Sequence, residues 1–119
     1  MSRSKQKGTA HETAIVRWLH LNGWPSADRS PLRGNQDQGD ITGIPGVCIE
    51  AKNCKAFTPS VWLDELAVEM ANASAETGVV IAKRRGTTNV DDYYAILPAR
   101  LWLELLIEAR PDYPWQPRQ

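Results

Sequence analysis

The chain has 119 residues and a mass of 13.3 kDa, the size of one domain, and a domain of that size buries about two thirds of the surface its open chain exposes. Its 42% hydrophobic and 24% charged residues argue against a disordered, collagen-like or membrane-embedded protein, and its apolar runs are too short to span a bilayer. Fourteen basic residues balance fourteen acidic ones, so a surface for a polyanion has to come from where the charges lie and not from their sum.

Residues 1–7, MSRSKQK, are polar and basic without periodicity and read as an arm. A helix is predicted from Gly8, with Ala14, Ile15, Trp18 and Leu19 at helical spacing and Asn22-Gly23 as its stop. Residues 25–39 hold Pro, Gly, Ser and Asp without an apolar stripe, which makes a loop long enough to be functional or mobile. Residues 40–52 read as two strands joined at Gly43-Ile44-Pro45-Gly46. In the second strand Val47, Ile49 and Ala51 share one face, and Cys48, Glu50 and Lys52 share the other.

Thr58-Pro59 is a cap followed by proline in the first helical turn. It opens a helix to about Thr77 with Trp62, Leu63, Leu66 and Met70 as its stripe and Gly78 as its end. Residues 79–83 form an apolar strand suited to a two-sided position, and residues 93–97 form another after a loop at 84–92. The last helix is expected over about 98–110, followed by a Pro-rich tail. The order is helix, two strands, helix, two strands, helix. This is an α/β domain with helices packed on a small mixed sheet.

Three acids and a lysine stand apart by placement. Glu50 and Lys52 leave the same strand face, and a register pairing Thr42 with Cys48 sets Asp40 opposite Glu50 on that face. Glu12 precedes Ile15, Val16 and Leu19 by three, four and seven residues, which puts a carboxylate in the first turn on the buried stripe. Carboxylates beside a core need a partner, and two or three of them with waters suit Mg²⁺ and not zinc. A lysine ammonium alongside can position a water and offset developing charge, so the set is equipped to cut a phosphodiester. His11-Glu12 does not begin a HExxH zinc motif, because the fifth position is Ile15.

The strings Gly39-Asp40-Ile41 and Ile49-Glu50-Ala51-Lys52 have the D…ExK form of the PD-(D/E)XK nuclease superfamily, with Gly-Asp replacing its Pro-Asp. The opening Lys7-Gly8-Thr9-Ala10-His11-Glu12 resembles the start of archaeal-type Holliday junction resolvases. Together with GDITGIPGVCIEAKN, VWLDE and GVVIAKRRG, residues 5–97 look like the resolvase-type nucleases of actinobacterial phages and their hosts. The resemblance implies a restriction-endonuclease-like αβββαβ core, a Mg²⁺-dependent cut with Mn²⁺ able to substitute, and a homodimer acting on four-way or otherwise branched DNA. By position, Asp40 and Glu50 would hold the metal, Lys52 would assist the nucleophile and Glu12 would complete the site. Ser30 would correspond to a loop serine near the scissile phosphate. Such relatives also cut flaps or nick duplexes, and a nuclease-like fold without activity would leave a DNA-binding module.

Phosphate contacts are expected from Lys5, Lys7, Arg29, Arg33, Lys55, Lys83, Arg84 and Arg85, since such contacts need only charge and reach. His11 and His20 are expected on the helix surface, and Cys48 and Cys54 as buried or half-buried thiols. Trp18, Trp62 and Trp102 fall on apolar stripes and are expected in the core or an interface. Two cysteines without a secretory leader or a paired-cysteine zinc motif indicate a reducing, cytoplasmic setting. Leu101, Trp102, Leu103, Leu105, Leu106 and Ile107 cover more than one face of the last helix, so a second buried surface, and with it a C2 homodimer, is expected there.

Overall fold

A computed structural model of the chain describes residues 3–31 and 37–117, the side chains of 3–5 excepted. The elements run α1 (Arg3–Leu21), β1 (Asp28–Arg29), β2 (Ile41–Thr42), β3 (Val47–Lys52), α2 (Pro59–Ala73), β4 (Thr77–Ala82), β5 (Tyr94–Ile96) and α3 (Ala99–Ala109), with a short 3-10 turn at Val90–Asp92 before β5. The strands form one mixed sheet in the order β1-β2-β3-β4-β5. β3 and β4 run parallel and the other pairs antiparallel. Parallel neighbours need a crossover, and α2 supplies it. No described helix is long and apolar enough to cross a membrane.

Alternation along the strands sorts the core into two layers. Ile41, Ile49 and Ile81 face α1 and pack with Ile15, Val16 and Leu19. Cys48, Val80 and Ala82 face α2 and pack with Trp62 and Leu66. The sheet is therefore covered on both sides, with β3 and β4 at its centre, as their apolar runs require.

Several sequence expectations are corrected. The arm is helical from Arg3, because Arg, Lys and Gln are good helix formers and one glycine at position 8 costs only about 1 kcal/mol. The loop 25–39 contains a further strand, β1, which pairs with β2 through Asp28–Thr42 and Arg29–Ile41. Backbone pairing needs no apolar stripe, so composition did not reveal it. α2 stops at Ala73, where Ser74 adopts a left-handed conformation with φ 51°, so Gly78 is not its end. Gly78 lies inside β4, where a Cβ would stand 2.9 Å from Met70 Sδ and 3.1 Å from Leu66 Cδ1; the glycine lets α2 sit close on the sheet.

His11 precedes the buried Ile15 by four residues, so it falls on the helix's inner face and is buried, its Nε2 3.0 Å from the Ile81 carbonyl. His20 is exposed, as expected. Trp102 stands 55% exposed, since α3 has no buried residue, whereas Trp62 lies in the core. Cys48 is fully buried and Cys54 is exposed.

Candidate functional site

Pairing of Ile41 with Ile49 sets the β2–β3 register, and it brings Asp40 level with Glu50 on the face that α2 covers. Asp40 is anchored there: its Oδ2 accepts from Ala51 N at 2.8 Å, and its own N donates to Ile49 O at 2.9 Å. The preceding Gly39 has φ +98° and sits against Cys48 Sγ and Ile49 O, where a Cβ would come within 3.0 Å of both. Only glycine turns the chain so tightly, and the turn carries Asp37 to the edge of the same cluster. Asp37 Oδ1 accepts from Gly39 N at 2.9 Å, and the Asp37 carbonyl accepts from Asn72 Nδ2 of α2 at 2.8 Å.

α2 adds the residue that the strand pattern could not show. Glu69 follows Trp62 by seven positions and Leu66 by three, so helical spacing sends it to the same buried face. Carboxylate oxygens of Asp37, Glu50 and Glu69 lie within 4.8 Å of one another. Glu50 is 4% exposed and Glu69 5%, and Glu69 Oε2 is buried without a hydrogen-bond partner. Burial raises both carboxyl pKa values. Hydrogen bonding and charge from Asp40 and Glu69 push Glu50 further up. At Glu69 the bond to Glu50 works against burial, Asp37 and Asp40 work with it, and the result is about 7. Cys48, beneath them, is pushed up to about 12 by burial and then by the negative charge of Glu69, Asp37 and Asp40.

Lys52 projects from the same face of β3 and is held by Glu65 of α2, Nζ to Oε2 2.7 Å. Burial alone would lower its pKa, but the bond to Glu65 and the charge of Glu50 outweigh it and the pKa is raised. The Lys52 ammonium therefore stays charged beside the carboxylates. No protein-family model, curated protein or solved structure matches the chain. The chemistry of the site rests on its own geometry.

The structure thus brings Asp40, Glu50 and Lys52 together and adds Asp37, Glu65 and Glu69, while Glu12 reaches Arg29. Glu12 is in mid-helix and not in the first turn, and its Oε1 receives Arg29 Nε at 3.1 Å. Burial raises its pKa, Arg29 counteracts this, and Asp40 is near enough to raise it further. Its partner among the described residues is the Arg29 guanidinium. Arg29 also reaches Thr9, so this half-exposed arginine braces β1 against α1. Ser30 is half-buried, its N donating to Asp40 O at 2.8 Å and its Oγ turned to Pro31 O.

The other basic candidates divide by place. The side chain of Lys5 and all of Arg33 lie outside the described residues. Lys7, Lys55, Lys83, Arg84 and Arg85 converge on one cleft at the carboxyl ends of β3 and β4. That is where a parallel strand pair presents its connecting loops to a ligand. Three acids in an all-oxygen donor set, one of them with an oxygen still unpaired, fit a hard divalent cation such as Mg²⁺.

Proposed function

We propose that the chain is a metal-dependent endodeoxyribonuclease on a restriction-endonuclease-like core, acting on branched DNA as a Holliday junction resolvase does. The observation that carries the reading is the carboxylate trio of exposed Asp37 and buried Glu50 and Glu69, with Glu69 Oε2 unpaired and the Lys52 ammonium nearby. The first six elements also run in the order αβββαβ that the D…ExK resemblance implies.

In this reading Glu50, Glu69 and Asp37 would hold Mg²⁺, or Mn²⁺ in its place, with Asp40 beside them and Glu12, near Asp40, completing the site. Bound there, the ion supplies charge to a phosphodiester oxygen and acidity to a coordinated water. Asp40, fixed through the Ala51 amide, holds Glu50 in place from the β2 side. Glu65 keeps the Lys52 ammonium extended over the face, where it orients the attacking water and answers negative charge on the phosphate. The basic cleft next to it takes the strand backbone.

The test is incubation of the full chain with labelled four-way junction, flap, nicked and linear DNA, in Mg²⁺ or EDTA. Cleavage of the branched forms in Mg²⁺ alone, lost in Glu50→Gln and Asp40→Asn while DNA binding persists, supports the reading. Inertness of the wild type on every substrate in both Mg²⁺ and Mn²⁺ overturns it, and binding without cleavage would leave a DNA-binding module.

A further inference from the structure

Two aromatic rings stand in the basic cleft, and the cutting site does not use them. Phe57, between β3 and α2, and Tyr94, which opens β5, are 54% and 43% exposed. Rings of that size are normally buried for their apolar area or paired through a polar tip. These two are held in place instead. Phe57 meets the buried Trp62 edge-to-face at 4.9 Å and Tyr94 edge-to-face at 5.7 Å, so each ring is braced by a neighbour while much of it still faces water.

The surroundings are cationic. The cleft encloses about 560 Å³ and is lined by Lys7, Lys55, Lys83, Arg84 and Arg85 together with Phe57 and Tyr94; among the described residues that line it, none is acidic. Lys83 Nζ is committed to the Thr87 carbonyl at 2.7 Å. Among the described residues, Lys7, Lys55, Arg84 and Arg85 form no ion pair. Arg84 lies over the Tyr94 ring at 5.9 Å, within cation–π range. A chain with no net charge has therefore gathered five cations around two braced, exposed rings.

Duplex DNA gives such rings nothing to hold, because its bases are stacked and its outer surface is phosphate. A strand with unpaired bases offers both: phosphates for the cations and a base face for the rings. The volume is also that of a site for a small organic group, within the ~300–1,000 Å³ usual for such pockets. The position agrees. Asn53, Cys54 and Lys55 directly follow Lys52, and Lys83 N donates to the Lys52 carbonyl at 2.9 Å, so a strand leaving the cleft meets the carboxylate face next.

We propose that this cleft binds an unpaired stretch of DNA strand, with Phe57 and Tyr94 stacking a base and Lys55, Arg84 and Arg85 holding the flanking phosphates. For its role as a substrate site the inference rests on the nuclease reading, and it makes the branch with exposed single strand, and not continuous duplex, the part of the substrate that is recognised. Its test reads binding alone.

Fluorescence anisotropy in EDTA compares a short labelled single strand of mixed sequence with its blunt duplex. The expected result is that Tyr94→Ala weakens single-strand binding by about 5- to 150-fold, the worth of one stacked base, and duplex binding by less than about twofold. Tyr94→Phe, which keeps the ring, retains wild-type affinity. Phe57→Leu, which keeps an apolar side chain against Trp62, shows the same selective loss, so the result does not depend on a variant that fails to fold. Arg84→Ala lowers both affinities and flattens the salt dependence by about one unit of slope. Equal losses on single strand and duplex, no loss in either ring variant, or a wild type that ignores the single strand overturns the proposal. A protein that cleaves but fails here loses the cleft; one that passes here but never cleaves loses the nuclease.

Discussion

Glu50 and Glu69 press two carboxyls into one dry space, with Asp37 and Asp40 alongside and Lys52 tied to Glu65 nearby. Their folded pKa values are raised above the ordinary 4.5, that of Glu69 to about 7. At low pH folded and unfolded chains both carry these protons. As pH climbs past 4.5 the unfolded chain releases them and the fold retains them, so this contribution to stability is lost up to the folded pKa. Without metal, the wild type should therefore lose stability relative to Glu69→Gln between about pH 5 and pH 8, read as the difference of their urea midpoints. Two curves that stay parallel would show that the fold does not raise the Glu69 carboxyl above its ordinary value. His11 works in the opposite sense, since burial lowers its pKa, but it is common to both proteins and cancels. Saturating Mg²⁺ should narrow the gap by stabilising only the wild-type fold. The two thiols give a simpler check: Cys54 is exposed, and Cys48 is fully buried with its pKa near 12, so a thiol reagent should add one adduct to the native chain and two in denaturant, by mass. At this scale Asp40, Glu50 and Lys52 were legible because strand alternation has a period of two and a short turn leaves few registers. Glu69 carries a readable signal, an acid at helical spacing on the Trp62–Leu66 stripe, which apolar periodicity alone does not pick out. Asp37 carried none, because a loop has no period.

Among the elements, α2 approaches β4 closely. Gly78→Ala would drive a methyl into Met70 Sδ and Leu66 Cδ1 and to 3.1 Å from the Cys48 carbonyl. The methionine tip can move and the β3 backbone cannot, so the substitution should cost about 1–3 kcal/mol of unfolding free energy, typical of overpacking. Met70→Ala in the same chain should recover part of that cost. Additive losses in the double variant would place the strain at the backbone alone. The same glycine explains why the sequence misplaced the end of α2. A glycine after a helical stripe reads as a stop, whereas here it marks where a helix crosses close over a strand. The central strands β3 and β4 were legible through their apolar alternation and runs. β1, two residues long and exposed, was not, because only its pairing with β2 defines it.

At the scale of the whole molecule, the apolar excess of α3 remains uncovered. Leu103, Leu106 and Ile107 join Tyr113 and Trp115 along a groove of about 970 Å³ on α3 and the tail. Arg100 and Glu104 line the same groove, so it carries both signs of charge and can answer a second copy of itself across a two-fold axis. A nuclease that resolves a four-way junction also needs two symmetric cuts, and the proposed function asks for the same arrangement. Light scattering at micromolar concentration should give a dimer for the wild type and a monomer for Leu106→Glu. Because α3 buries no residue within the protomer, the variant should keep its fold and its thermal midpoint. A wild-type mass near 13.3 kDa would refute the dimer, and a dimer that survives Leu106→Glu would put its interface on another face.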